Sequence, residues 1–193
     1  MSDAVQALLD REIPVEYRRA ATEHIAKDTS VAVRATESAV IFRVNTEWLA
    51  LATTAFQGVA DIGVIHSLPR RGNNIVLGIT NVQGELLVCV SLAGLLGIAP
   101  GDLAEASRDA TASRRARTNG RLMIVKGAGG MIAIPVHQVQ GIHRYLPAHL
   151  GEVPATLTHA NSRYTVGMLS WQGHAVARLD DELVFHSITK ALA

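Results

Sequence analysis

Short runs of apolar residues, many alternating with polar ones, cover most of this chain, and this is the pattern of β-strands. The runs are densest over residues 38–98 and again over residues 121–180. Between these stretches, residues 99–120 are rich in Ala, Ser and Arg and poor in large apolar side chains, which favours a linker. The pattern therefore predicts two β-rich halves.

Each half contains five strand-like runs. We predict strands over residues 39–44, 48–52, 62–66, 75–82 and 85–92, and then over residues 121–126, 130–135, 139–146, 164–170 and 174–179. The segment TTAFQGV, residues 53–59, is interpreted as a single helical turn. A C-terminal helix is predicted over residues 181–192, because its acids stand at the start and Lys190 near the end, as the helix dipole favours.

Residues 1–36 have a helical pattern and form a predicted N-terminal extension. Apolar residues recur there at helical spacing on both sides of Pro14, which is tolerated at a helix start but not inside a helix. The remaining residues, 37–193, are predicted to form one domain of two barrels.

The two halves resemble each other, which predicts a diverged tandem repeat. Gln83-Gly84 and Gln172-Gly173 each stand between two strand-like runs, and Gly58 aligns in the same way with Gly141. Glycine supplies the positive φ that a tight hairpin needs, so both Gln-Gly pairs are predicted turns. A five-stranded sheet this small leaves costly free edges, so we predict two SH3-like or OB-like β-barrels packed together, over about 38–98 and 121–180.

Composition excludes several classes of protein. The 193 residues are 48% hydrophobic, and 18 Lys and Arg against 17 Asp and Glu leave a net charge of +1, which gives no global attraction to nucleic acid or membrane. The sole cysteine, Cys89, lies in an apolar run and is expected to be a buried small hydrophobe in a reducing compartment. No apolar run is long enough to span a membrane, and the acidic start does not resemble a secretory signal, so we expect a cytoplasmic protein.

No catalytic constellation is recognisable. Asp61 and Asp180 lack the Asp-Thr/Ser-Gly context of an aspartic protease, the eight histidines show no metal-binding spacing, and there is no Gly-x-Ser-x-Gly elbow. The GAGG segment at 127–130 connects two predicted strands and is interpreted as a hairpin turn. We therefore expect no catalytic residue, no metal and no cofactor, and a binding module in place of an enzyme.

Two alternatives from other classes stay open. A basic cluster of three arginines in the linker favours a phosphate- or nucleic-acid-binding barrel, whose retention on DNA would depend steeply on salt: Arg114, Arg115 and Arg117. An uncharacterised hydrolase is the other alternative, and a substrate screen of the pure protein would identify it.

Four segments resemble the CheW family of chemosensory coupling proteins. They are FRVNTEWLALATTAFQGV, VLGITNVQGELLVCVSLAGLLGI, MIAIPVHQVQGIHRYLP and GMLSWQGHAVARLD, and the resemblance covers residues 38–190. It implies two packed five-stranded barrels and a non-enzymatic scaffold. One surface would contact the regulatory domain of a CheA-type histidine kinase, and a groove between the barrels would hold the hairpin tip of a methyl-accepting receptor.

The sequence departs from the family pattern at three positions. Gln83 stands where the family usually has an arginine, Gly58 where an acid is common, and Ser91 where an aspartate is common. Loss of both Arg and acid is consistent with loss of a whole ion pair, which costs less than leaving one charge unpaired. The segment LLDREIPVEYR resembles the N-terminal extension of a CheW subfamily found in surface-sensing, cyclase-linked systems, so an adaptor for a non-chemotactic array is a further alternative.

The resemblance also directs the choice of binding residues. For the receptor groove we predict six residues: Phe56, Val59, Ile79, Asn81, Val82 and Gln83. For the kinase contact we predict four residues on the rim of the second barrel: Val139, Ile142, Arg144 and Trp171. Other CheW-like domains are further expected partners, and the protein is expected in the cytoplasm, at membrane receptor arrays, without inserting into the membrane.

Overall fold

A computed structural model of the chain describes residues 36–68, 74–99, 120–127, 129–154 and 162–192. The predicted N-terminal helices lie outside the described residues, apart from residue 36. The segment that suggested the cyclase-linked subfamily and the three linker arginines also lie outside them. No helix in the described part of the chain is long and apolar enough to cross a membrane.

The described part of the chain is mainly β, as the sequence predicts. Two α-helices lie wholly within it, α1 (Leu92–Leu96) and α2 (Asp181–Leu192), and Pro147–His149 form one 3-10 turn. The eleven strands of this part are β1 (Glu37–Val44), β2 (Glu47–Ala52), β3 (Phe56–Asp61), β4 (Ile65–His66), β5 (Val76–Val82), β6 (Glu85–Val90), β7 (Arg121–Gly127), β8 (Gly130–Val136), β9 (Gln138–Tyr145), β10 (Thr165–Trp171) and β11 (His174–Leu179).

Two local predictions are wrong. The helical turn expected over residues 53–59 is a short turn followed by β3, which starts at Phe56. The run predicted as a strand up to residue 92 ends at Val90, because Ser91 starts α1 instead: its Oγ accepts a hydrogen bond from the backbone N–H of Gly94 at 3.0 Å. Ser91 therefore supplies the N-cap that an aspartate would also supply.

The strands form two sheets with the same internal order. The terminal sheet, which contains β1 and β11, has the order β10-β11-β2-β1-β9, and the central sheet has the order β3-β7-β8-β6-β5-β4. Without the two-residue β4, the central sheet read backwards matches the terminal sheet strand for strand. In both sheets one neighbouring pair is parallel, β11 with β2 and β6 with β8, while the other pairs are antiparallel. A five-strand unit thus occurs twice.

The assignment of one barrel to each half of the sequence is wrong, because the halves exchange their first hairpins. The β1–β2 hairpin pairs with β9, β10 and β11 of the second half, whereas the β7–β8 hairpin joins strands of the first half. Only His137 separates β8 from β9. A hairpin needs about two loop residues, so β9 cannot fold back beside β8. The chain continues into the terminal sheet instead, where the backbone N–H of His137 donates to the carbonyl of Arg43.

The repeated Gln-Gly pair is a turn in both copies. Gln83 and Gly84 have φ of 53° and 93°, and Gln172 and Gly173 have φ of 47° and 80°. Each pair closes a two-residue hairpin, between β5 and β6 and between β10 and β11. Positive φ at both central residues is the pattern of a type I′ turn, which matches the twist of the flanking strands.

The exchanged hairpins are buried on both faces. Along β1, Val40 and Phe42 enter a large apolar cluster shared by the two sheets, while Ala39 and Ile41 enter a smaller cluster within the terminal sheet. The strand β7 alternates in the same way between the shared cluster and a third cluster within the central sheet. Two-sided burial explains why these strands are almost continuously apolar.

Cys89 and Arg178 occupy equivalent positions of the two units. Cys89 pairs with Ala133 where β6 runs parallel to β8, and Arg178 pairs with Ala50 where β11 runs parallel to β2. The interior of the central sheet is apolar there, and burial raises the pKa of the Cys89 thiol to about 12. At the equivalent position of the terminal sheet, Arg178 places a buried positive charge.

Arg178 is at the centre of a polar network in the terminal sheet. Its guanidinium donates to the Asp181 carboxylate at 2.9 and 3.1 Å and to Tyr145 Oη at 3.1 Å, and Tyr145 donates to Glu37 at 2.6 Å. Asp181 also accepts from the backbone N–H of Ala52. Burial alone would lower the pKa of Arg178, but its interactions with Asp181 and Tyr145 together outweigh burial and raise that pKa above its usual value. The network ties β1, β2, β9 and β11 to the start of α2.

Replacing the buried arginine will destabilise the fold. Arg178→Met keeps an apolar stem but leaves Asp181 and Tyr145 without their donor, so we expect a loss of about 3 kcal/mol in the free energy of unfolding. Urea unfolding of the full chain measures it, with the exposed Arg144→Met as control. A loss below about 0.5 kcal/mol, the usual range for surface substitutions, would contradict the assigned role.

The single thiol will be inert in the native protein. Because Cys89 is fully buried and its pKa is about 12, it should resist an alkylating or disulfide reagent at pH 8. The same reagent should titrate one thiol per chain in denaturant. Rapid labelling without denaturant would show that the central-sheet interior opens more easily than this packing implies.

Candidate protein-binding sites

An open cleft of about 430 Å³ lies on the central sheet, between β3 and the β5–β6 turn. Its lining is mainly polar, with three apolar and four polar or charged residues: Val59, Ala60, Asp61, Asn81, Val82, Gln83 and Arg121. Strands β3 and β5 stand far apart in the strand order, so the sheet must curve to bring them together. The apolar cluster within the central sheet, against which Ala60 and Val82 pack, fills the inside of that curve.

Backbone geometry fixes the two walls of the cleft. On β3 the burial alternates residue by residue, which leaves Val59 43% exposed although it is apolar. On the other wall, the backbone N–H of Gly84 donates to Asn81 Oδ1 at 2.9 Å. This bond holds the type I′ turn in place, so the exposed side chain of Gln83 is presented beside Asn81.

Four of the six residues predicted for a receptor groove line this cleft: Val59, Asn81, Val82 and Gln83. The structure does not bring the other two into it. Phe56 packs against the cluster shared by the two sheets, and Ile79 lies within β5, opposite Val88 and His66.

The charged wall of the cleft was missed as a binding feature. Asp61 and Arg121 are directly opposite each other on β3 and β7, with 3.5 Å between Asp61 Oδ1 and Arg121 Nη1. In the sequence, Asp61 stands out only as a potential protease carboxylate, and its context does not fit that role. No spacing rule relates these two positions, because they lie sixty residues apart in the sequence.

Neither catalytic nor metal chemistry is organised in the cleft. Within the described ranges, no group of three or more His, Cys, Asp or Glu side chains could hold a metal ion. The cleft lining contains one carboxylate and no serine, cysteine or histidine. A cleft whose lining combines apolar, hydrogen-bonding and charged side chains is suited to binding another protein.

The four residues predicted for a kinase contact fall on two edges of the terminal sheet. Val139, Ile142 and Arg144 lie on the edge strand β9, where Ile142 is 64% exposed and Val139 packs against the shared cluster. Trp171 lies on β10, the opposite edge strand. The four residues therefore lie in one patch on β9 and one on β10, the last and first strands in the order of this sheet.

An aromatic cluster surrounds Trp171. Its ring centroid lies 5.4 Å from that of Trp48 and 6.2 Å from that of His174, and Trp48 and His174 are 5.1 Å apart. The guanidinium of Arg43 stands 5.9 Å from the Trp48 ring. Both tryptophans of the chain are thus gathered, half-exposed, at one place. Sequence reasoning missed Trp48 and His174, because the parallel pairing of β11 with β2 brings them together.

A second open cavity, of about 530 Å³, lies beside α2. It is lined by Thr54, Ala55, Lys126, Asp181, Glu182, Phe185, His186 and Thr189. Its carboxylate Asp181 is already bonded to Arg178 and Ala52, and none of the predicted site residues lines it. The larger volume therefore does not mark it as the functional site.

Comparisons with known proteins agree on one family. A family model described as "CheW-like domain" matches residues 38–189. The crystal structure of the scaffolding protein TtCheW from Thermoanaerobacter tengcongensis is similar to this chain, with a TM-score of 0.59 and 16% sequence identity over 80% of this chain and 91% of the other. At that identity the likeness concerns the fold. No curated protein sequence matches the chain significantly.

Proposed function

The chain belongs to the CheW-like domain family, a family of chemotaxis scaffolds, and from that premise we propose that it couples methyl-accepting chemoreceptors to a CheA-type histidine kinase. The observation that supports this most is the cleft of about 430 Å³, whose lining includes four of the residues predicted for a receptor groove. Coupling requires docking faces and no reaction. We accordingly propose a cytoplasmic, non-enzymatic adaptor at receptor arrays that needs no cofactor.

The cleft is proposed as the receptor site. A receptor tip is a helical hairpin, and a helix binds a groove through apolar residues at helical spacing. Val59 and Val82 offer apolar contacts, and Asn81 and Gln83 offer hydrogen-bonding groups. Gln83 is uncharged, so a receptor helix that binds here needs no acid opposite this position.

The terminal sheet is proposed as the kinase side. Trp and Arg are enriched at the centres of protein interfaces, where they lose water on binding. The cluster of Trp48, Trp171 and Arg43 has this composition, and Ile142 on β9 supplies a second apolar contact. Both patches lie on the terminal sheet and the cleft lies on the central sheet, so the proposal gives kinase and receptor different surfaces. Other CheW-like domains would use the same two patches to extend an array.

A charged residue in place of Val59 in the cleft should strongly weaken receptor binding. Val59→Glu places an unpaired carboxylate under the apolar face of a bound helix, so we expect at least a tenfold loss of affinity for a receptor cytoplasmic fragment, measured by calorimetry. Val166→Glu is the matched control, because Val166 is 49% exposed and lies on the other sheet. Equal affinity of the two variants would remove the cleft from receptor binding.

Truncation of the exposed tryptophan should weaken kinase binding. Trp171→Ala is expected to reduce affinity for the isolated kinase regulatory domain by about thirtyfold, the effect of an interface hot spot. Ile142→Ala tests β9 separately, and Leu86→Ala, an exposed residue of the central sheet, is the control. If Trp171→Ala binds like the control while remaining folded, the aromatic cluster is not the kinase site.

A further inference from the structure

The ion pair on the cleft wall is arranged asymmetrically. The side chain of Arg121 is 44% exposed, and its Nη1 also donates to the carbonyl of Gly120 at 2.9 Å, which holds the guanidinium at the wall. The side chain of Asp61 is 91% exposed and contacts Arg121 at 3.5 Å. Arg121 therefore has a second hydrogen-bond partner that orients it, whereas the side chain of Asp61 is almost fully exposed to water.

This pair contributes little to the stability of the fold. Ion pairs between solvent-exposed groups are typically worth only about 0–1 kcal/mol. The two charges nevertheless stand in the lining of the cleft, where Arg121 is the one cationic residue. A guanidinium has five donors in a planar fork, and a carboxylate that approaches it squarely can accept two of them. The present contact between Asp61 and Arg121 uses a single long one.

We propose that Arg121 selects the partner that binds in the cleft, and that Asp61 pairs with Arg121 until the partner binds. The partner chemistry is an amphipathic helix with an acidic side chain beside its apolar stripe. When the helix docks, that carboxylate displaces Asp61 and forms an ion pair with the guanidinium of Arg121. The apolar stripe of the helix covers Val59 and Val82. The inference rests on the proposed function, because the helix it specifies is the receptor tip.

The proposal predicts opposite effects for the two members of one ion pair. Asp61→Asn removes the competitor for Arg121 and the repulsion of the incoming acid, so binding becomes tighter. Arg121→Gln removes the charge that recognises the acid, so binding becomes weaker. A merely structural role for the pair would give both variants the same sign, since each breaks the same contact.

The experiment is calorimetric titration of the full chain with a receptor cytoplasmic fragment encoded in the same genome, at low and at moderate salt. We expect Asp61→Asn to bind about threefold more tightly and Arg121→Gln about tenfold more weakly, with Arg121→Lys between Arg121→Gln and the unmodified chain. The double variant should bind like Arg121→Gln, and both should depend less on salt than the unmodified chain. Neutralising one acid of the receptor tip should abolish the effect of Arg121→Gln.

Two failures are distinguishable. In the first, Val59→Glu abolishes binding, while Asp61→Asn and Arg121→Gln either bind like the unmodified chain or weaken binding equally. The selecting role of Arg121 is then wrong, but the cleft remains the receptor site. If Val59→Glu and Val166→Glu bind equally well, or the unmodified chain does not bind the fragment, the proposed function itself fails, and the inference with it.

Discussion

Burial of the β1–β2 and β7–β8 hairpins on both faces is the constraint on which the rest of the structure depends. Each hairpin completes the sheet built by the other half of the chain, and its outer face then packs into the cluster that both sheets share. A strand with two buried faces needs apolar residues at consecutive positions, as in Ala39–Phe42 and Leu122–Val125. Strands with one exposed face, such as β3 and β9, alternate instead. The binding surfaces are carried by these alternating strands and by the turns.

The two units have diverged most where they need not pack against each other. Equivalent turns, equivalent parallel pairs and equivalent helix starts are kept, and Ser91 and Asp180 both cap a helix through a side-chain oxygen. The interiors differ, because one contains Cys89 and the other the bonded charge of Arg178. A shared backbone plan therefore supports an apolar interior in one sheet and a polar network in the other. The same freedom allows a cleft on one sheet and an aromatic cluster on the other.

Local signals in the sequence were sufficient for most of the elements, and the family resemblance supplied part of the cleft. Glycine chemistry identified both Gln-Gly turns, whereas Asn81, Val82 and Gln83 were predicted for the groove from the resemblance. The exchange of hairpins was not predicted, because strand periodicity does not tell which strands pair. The predicted strands left residues 136–138 between them, which is enough for a hairpin, whereas in the structure only His137 separates β8 from β9. Pairs created by distant strands were missed for the same reason. Asp61 with Arg121 and Trp48 with Trp171 become neighbours only through the sheet order.

The exchanged hairpins also have a consequence for the origin of this architecture. Each sheet takes one hairpin from the other half of the sequence, so in this arrangement neither half holds all the strands of a sheet. A chain with a single copy would need the hairpin of a second molecule to form the same sheet, as in a domain-swapped homodimer, whereas here both copies are parts of one polypeptide. Assembly then no longer depends on protein concentration. Once fused, each module could acquire a different binding surface without losing its partner.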